Sequence, residues 1–209
     1  MALTLYDFPL SGHAHRVRLF LSLNALAAEI KTVDLPAGEH RSEAFLAMNP
    51  FGQVPVLTDG EVVVSDSNAI LVYLAKRFGL TQWLPEDPLG AAQVQQWLSI
   101  AAGPLTFGPC NARLRVVFGA PFDEADVTAR SLALFAQMDA ALTDRPFLTG
   151  ETATLADVAL YSYTERVVEA GIDRSPFQHI TRWLERVEAL PGFTPFTPYV
   201  ATTAPEPTP

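Results

Sequence analysis

The order of apolar runs and chain breakers over residues 1–80 constrains this chain more than any other feature. Residues 3–8 are a short run of strand formers stopped at Pro9, and residues 16–26 then place Val17, Phe20, Leu21 and Asn24 at helical spacing. Residues 30–35 read as a second strand closed by Pro36 and Gly38. Residues 41–48 read as a short helix that stops at Asn49-Pro50, because a residue before proline avoids the helical region. Two β-rich runs, 54–57 and 62–64, are joined by Thr58-Asp59-Gly60-Glu61, whose Asp-Gly pair is a hairpin signal. Ser65 or Asp66 then caps a helix from Ser67 to about Phe78, ended by Gly79. The order β-α-β-α-β-β-α predicts a parallel pair from the first two strands, which a helix separates, and an antiparallel hairpin from the last two. A mixed four-stranded sheet carrying helices follows.

Strand signals stop after a proline-punctuated linker at 81–87. Residues 89–118, 124–142, 155–170 and 177–190 are helical in pattern, so the fold class is α/β followed by an all-α helical bundle, with units at 1–80 and 88–200. Gly103-Pro104 and Gly108-Pro109 should kink or split the first of these helices. Thr154-Leu155-Ala156-Asp157 has the spacing of a capping box. The tail 201–209 holds only Ala, Thr, Glu and Pro and is expected to be disordered.

Composition narrows the function classes. With 49% apolar and 18% charged residues the chain can bury a core. Fourteen Lys plus Arg against 23 Asp plus Glu give a formal charge of −9, which argues against nucleic acid as a partner. The single cysteine, Cys110, excludes an intramolecular disulfide and a multi-cysteine metal cluster. No apolar run approaches the ~20 residues of a bilayer span, and residues 1–10 lack a basic leader. The expectation is a cytoplasmic protein with no membrane partner. His13-Ala14-His15 has no neighbouring carboxylate or cysteine to complete a metal site, so no metal is expected.

The chain has no G-x-S-x-G elbow, Walker A sequence, H-E-x-x-H or G-x-G-x-x-G. Three segments remain: Pro9-Leu10-Ser11-Gly12-His13, Phe51-Gly52-Gln53-Val54-Pro55-Val56-Leu57 and Ser65-Asp66-Ser67-Asn68-Ala69-Ile70. Each lies at a strand end, where the three can meet at one edge of the sheet. Asn49-Pro50-Phe51-Gly52-Gln53-Val54-Pro55, followed by Asp66-Ser67-Asn68-Ala69-Ile70-Leu71-Val72-Tyr73-Leu74, resembles the N-terminal domain of cytosolic glutathione S-transferases. Thr154-Leu155-Ala156-Asp157 resembles the helix-capping motif of that family's helical domain. The likeness covers about residues 2–200 and is greatest to bacterial serine-type members related to the theta, beta and nu classes.

The resemblance implies a thioredoxin-like glutathione-binding domain, an all-helical domain, a homodimer, and conjugation of glutathione to small apolar electrophiles. It implies a cis Val54–Pro55 bond that turns the Val54 backbone outward, where its N–H and C=O can pair with a peptide as an added strand would. It places the γ-glutamyl carboxylate at Ser67, with Asp66 beside it; unpaired N–H groups at a helix start favour such an anion. No Glu or Gln follows three residues after either position, which favours a cap left open for ligand. His40 and Gln53 match positions that contact the glycine end.

Ser11 matches the catalytic hydroxyl, and His13 stands where related bacterial enzymes carry a second donor. A serine hydroxyl cannot serve as a base near neutral pH, but it can donate a hydrogen bond to a sulfur anion. Such a bond contributes ~1.5–3 kcal/mol and a helix terminus ~0.3–1 more, together enough to lower a free thiol by about two pH units from ~8.5. Tyr6, a strand tyrosine one residue before Asp7, fits the sulfur-binding role less well than the Ser11-Gly12 turn. Phe8, Leu10, Phe107, Cys110 and Arg113 are the expected electrophile wall. Two other readings are a glutathione-dependent disulfide reductase or peroxidase, and a non-catalytic binding module of the same fold.

Overall fold

The run LTLYD is buried at four of its five positions, so it belongs inside a sheet, and it forms the inner strand β1 (Leu3–Asp7). The computed structural model describes residues 3–200; the tail 201–209, expected to be disordered, lies outside the described residues. β1 pairs parallel with β2 (Ala28–Thr32) and antiparallel with β3 (Val56–Asp59), which pairs antiparallel with β4 (Val62–Ser65), giving the order β2-β1-β3-β4. With α1 (Gly12–Leu23), α2 (Glu43–Met48) and α3 (Ser67–Arg77) this is the expected thioredoxin-like arrangement. The helical half follows as α4 (Pro88–Ala102), α5 (Asn111–Phe118), α6 (Glu124–Ala141), α7 (Leu155–Arg166) and α8 (Gln178–Glu188).

Element boundaries depart from the sequence reading where a cap or a pairing partner decides them. α1 begins at Gly12, well before residue 16, because Ser11 Oγ accepts the Ala14 N–H at 3.2 Å. It ends at Leu23, where the Asn24 amide folds back on the Phe20 carbonyl and Ala25 enters the left-handed region at φ 49°. β2 starts at Ala28 and not at residue 30, because Leu3 pairs with Ala28 and β1 sets the extent of its edge partner. β3 starts at Val56, opposite Tyr6, and the cis Val54–Pro55 peptide precedes it. Asp59 pairs with Val62, so the hairpin loop shrinks to Gly60 and Glu61.

The proline-containing helix divides as its sequence suggests. α4 stops at Ala102, Gly103 and Pro104 follow, and a π-helical turn over Thr106–Cys110 leads into α5. Pro109 sits inside that turn, where the missing N–H and the ring are accommodated by the wider spacing.

One apolar core joins the two halves. Leu5, Phe20, Leu57, Ile70 and Leu74 of the sheet unit share it with Leu98, Phe135, Leu160 and Trp183. A smaller cluster of Val33, Phe45 and Val56 lies under α2. α7 is the centre of the helical half, buried from Leu155 through Thr164. Its capping motif reaches further than a local cap. Asp157 accepts the Thr154 N–H at 2.8 Å, the Leu148 N–H at 2.9 Å and the Trp183 indole N–H at 2.9 Å. The carboxylate thus ties the start of α7 to the preceding loop and to α8 at once.

A C-terminal strap after α8 returns across α1. Gly192, at φ 82°, passes so close to Ser22 that a Cβ there would lie 2.6 Å from the Ser22 carbonyl oxygen. His15 holds the strap: Nε2 lies 3.0 Å from the Thr194 carbonyl and Nδ1 2.9 Å from Ser162 Oγ, and its ring stacks on Phe196 at 4.8 Å. A carbonyl only accepts, so Nε2 carries the proton and Nδ1 accepts from Ser162. Burial, with Arg18, Arg166 and Arg113 nearby, pulls the His15 pKa from 6.5 to about 3. The unfolded chain therefore binds a proton between those values that the folded chain refuses, so stability falls as pH drops below 6.5. His15 alone should remove about 2 kcal/mol between pH 8 and pH 5. Urea melts at both pH values, on the native chain and on His15→Phe, check this: the variant should show a smaller acid loss by about that amount.

Candidate active site

A cavity of about 710 Å³ opens where the end of β1, the N-termini of α1 and α3 and the turn before β3 face the α4–α5 junction. Its sheet-side wall carries the residues singled out from sequence for glutathione: Ser11 and His13 on α1, His40 and Gln53 on the loops flanking α2, Val54-Pro55 before β3, and Asp66-Ser67 at α3. They come from four separate chain segments and share one opening.

The start of α1 fixes Ser11. Its Oγ takes the Ala14 N–H, which leaves the hydroxyl proton to point elsewhere, and the residue is half-buried at the cavity edge. Gly12 allows the turn to seat: a Cβ there would meet the Tyr163 ring at 2.6 Å, and that ring is buried against it on α7. His13 packs edge-on against Tyr163, with ring centroids 5.0 Å apart, and its Nε2 lies 3.8 Å from Cys110 Sγ. Burial and the Arg16 charge bring the His13 pKa to about 3, so its imidazole is neutral at working pH and holds a single N–H donor. Burial pushes the Cys110 thiol up to about 11, so that pair stays uncharged. His13 and His15 turn to different partners and do not converge.

At the second segment, the Asn49 amide donates to the Gln53 carbonyl at 2.8 Å and its oxygen accepts the Phe51 N–H at 3.1 Å, so one buried side chain shapes the whole turn. Among the described residues the Val54 N–H and C=O have no hydrogen-bond partner. Arg41 Nε donates to His40 Nε2 at 3.3 Å, which leaves Nδ1 as the donor, an enclosed nitrogen without a partner among the described residues.

Asp66 is the N-cap of α3 and accepts the Ala69 N–H at 2.9 Å, correcting the expectation of a cap left open. The side chain is short enough to fill one N–H and leave the cavity-facing Ser67 free of it. Its backbone stands at φ 72°, a region that costs a residue with a Cβ roughly 1–3 kcal/mol and that clusters at functional sites.

The opposite wall is apolar. Phe8 and Phe118 lie 6.1 Å apart by ring centroid, joined by Leu10, Leu114, Thr106 and Cys110. Two expected wall residues are elsewhere. Phe107 is rotated out by the π-helical turn, which directs Thr106 and Cys110 inward; it is 54% exposed and borders a separate depression with Pro104 and Leu134. Arg113 is buried behind the wall, donating to Glu169 at 2.7 Å and to the Leu10 carbonyl at 2.7 Å, so it supports Leu10 from behind. Tyr6 faces α2, with its ring on Phe45, and does not line the cavity.

Sequence reasoning missed Arg16, Asn68 and Tyr163, all of which line the cavity. Arg16 left a signal: it lies four residues before Phe20, on the apolar stripe of α1, where an arginine needs a reason to be. Tyr163 left none, since an aromatic residue in a wholly buried helix reads as core.

The family models for the glutathione S-transferase N-terminal domain and the glutathione S-transferase C-terminal domain match residues 1–76 and 122–191. Glutathione S-transferase theta-2 of Rattus norvegicus is 35% identical over 204 residues, covering 92% of this chain and 83% of the relative. Glutathione S-transferase theta-1 of Bos taurus is 33% identical over 205 residues, covering 92% and 85%. A crystal structure of a glutathione S-transferase from Pseudomonas fluorescens Pf-5 superposes with a TM-score of 0.88 at 31% identity, covering 94% of this chain and 99% of that one. A glutathione transferase homologue from Drosophila mojavensis with bound glutathione gives 0.84 at 26% identity, covering 91% and 89%. Both halves of the fold, in their order along the chain, place this protein in the glutathione S-transferase family.

Proposed function

We propose that this chain binds glutathione along the sheet-side wall, holds its sulfur as a thiolate through Ser11, and adds that sulfur to a small apolar electrophile. The observation that carries the reading is the state of the Ser11 hydroxyl: its oxygen already accepts the Ala14 N–H, so its proton is available to an anion at the cavity edge. The Val54 backbone supplies an N–H and a C=O for the cysteinyl residue, and His40 and Gln53 stand at the glycine end. Ser67 at the start of α3 meets the γ-glutamyl carboxylate. His13 adds one neutral N–H donor beside Ser11 and contributes no proton transfer in the working range.

The chemistry asked of the protein is modest. Lowering the thiol by about two pH units raises the neutral-pH thiolate fraction roughly tenfold to thirtyfold. Any larger acceleration comes from holding the electrophile against the sulfur between Phe8, Leu10, Leu114 and Phe118. A disulfide reductase would have to draw both thiols from glutathione, because Cys110 is buried and resists ionisation. No helix among the described residues is long and apolar enough to cross a membrane.

We also infer a homodimer, as family membership suggests; Leu89, Phe107 and Leu132 leave apolar surface exposed on the helical half. Light scattering on the purified chain should give twice the 22.7 kDa chain mass, and a monomer at micromolar concentration would remove this inference.

Ser11→Ala should raise the apparent pKa of kcat/KM by about one to two units and lower turnover roughly tenfold at neutral pH, with glutathione affinity little changed. An unmoved pH profile would take Ser11 out of the mechanism. Ser67→Ala should weaken glutathione by ~1–3 kcal/mol in calorimetry, through loss of a contact to a charged group. Undiminished affinity would mean that the carboxylate lies elsewhere.

A further inference from the structure

The turn that presents Ser11 has each of its preceding carbonyls taken. The Ser11 N–H closes it on the Phe8 carbonyl at 2.9 Å, as in a β-turn. Arg18 of α1, paired with Asp7, donates from Nη2 to the Pro9 carbonyl at 3.1 Å. Arg113 of α5 donates from Nη1 to the Leu10 carbonyl at 2.7 Å. The first two bonds are made within the sheet unit. The third crosses from the helical half and acts on the peptide group that Leu10 shares with Ser11.

Arg113 is itself held on several sides. It is 1% exposed, and its Nε donates to Glu169 Oε2 at 2.7 Å. Glu169 lies on the 3-10 turn Val167–Ala170 that follows α7, and its Oε1 accepts the Tyr199 N–H at 3.0 Å. The Phe196 ring covers the guanidinium, with its centroid 4.6 Å away. The C-terminal strap therefore grips the ion pair from the side away from Leu10. A buried ion pair gains little stability over apolar side chains of similar volume, and Nη2, enclosed without a partner among the described residues, adds to the cost. What an apolar residue could not supply is a planar fork, fixed at Nε and aimed at one carbonyl.

That carbonyl matters because a peptide group is planar, so holding the Leu10 oxygen also holds the Ser11 nitrogen. Ser11 stands at φ −84° and ψ 118°, and a tilt of this plane would swing its hydroxyl. Hydrogen bonds weaken steeply as they leave linearity. We propose that Arg113 and Glu169 are positioning residues for the Ser11 hydroxyl: from the helical half they fix the Leu10–Ser11 peptide, so that the hydroxyl proton meets the sulfur in line. This rests on the reading of Ser11 as the sulfur's donor and adds to it the groups that aim the donor. Arg113 lies behind the cavity wall and touches neither glutathione nor the electrophile in this scheme.

Arg113→Met combined with Glu169→Gln tests this, since both charges go together and Tyr199 keeps an acceptor. Arg16 and the Asp7–Arg18 pair, the other charged groups around the turn, stay in place. Spectrophotometric titration of bound glutathione should give a thiol pKa raised by about 0.5–1 unit, or roughly threefold to tenfold less thiolate at neutral pH. In a Ser11→Ala background the same two changes should move it no further, because they act through that hydroxyl. Affinity for S-methylglutathione, which has no thiol to ionise, should stay within about twofold of the native chain in calorimetry. An unmoved thiol pKa, a shift that recurs in full without the Ser11 hydroxyl, or a matching loss of S-methylglutathione affinity would each overturn the proposal. Should the double variant not fold, Arg113→Lys decides: it keeps the charge beside Glu169 and loses the fork, so the shift should keep its sign at a smaller size and vanish in Ser11→Ala. No shift there refutes the aiming role. A native chain that binds no glutathione, or a Ser11→Ala chain with a native thiol pKa, is a different result, which removes the functional reading itself.

Discussion

The seating of α1 on α7 is the contact on which the rest of this molecule depends. Gly12 lies flat on the Tyr163 ring, and His15, one turn further along the helix, bonds to Ser162 on the same helix. α7 is held in turn by the Asp157 carboxylate, whose donors come from three separate parts of the helical half. Because Ser11 caps α1, any shift of this contact moves the hydroxyl proposed to meet a sulfur. A residue larger than glycine at position 12 would displace the helix start, not merely crowd it.

Electrostatics within the cavity oppose those of the whole chain. The chain carries a formal charge of −9, while glutathione, with two carboxylates, one ammonium and, when reactive, a thiolate, is also net negative. Long-range attraction therefore contributes nothing to capture, and local donors must do it. The available donors on the sheet-side wall are hydroxyls, backbone N–H groups, the His40 imidazole and the single buried guanidinium. Their short reach suits a ligand recognised by shape and by placement of each charged end.

Much of the fold was legible because strand and helix signals alternate so strictly before the linker. Val54-Pro55, Asp66-Ser67 and Ser11-Gly12 could be found because each combines a strand end with a turn or cap residue. What escaped was set by tertiary packing. The inward or outward choice between Thr106 and Phe107 depends on a π-helical turn that has no signature beyond its Gly and Pro. Arg113 resembled a wall residue by position, and only the structure assigns its guanidinium to Glu169 and the Leu10 carbonyl. Arg16 could have been read from its place on the apolar stripe of α1. Its partners, Ser67 and Asn68, are contributed by α3 and could not.

The two walls of the cavity come largely from different parts of the chain, with Phe8 and Leu10 the sheet unit's share of the apolar one. Everything proposed to grip the tripeptide lies between residues 11 and 67, whereas Thr106, Asn111, Leu114 and Phe118 all come from the short stretch that follows the Gly103-Pro104 break. Substitutions along that stretch can reshape the pocket for a new electrophile while the peptide cradle stays untouched. A fold arranged this way can change its chemistry through a handful of side chains, keeping the same nucleophile and renewing only what it attacks.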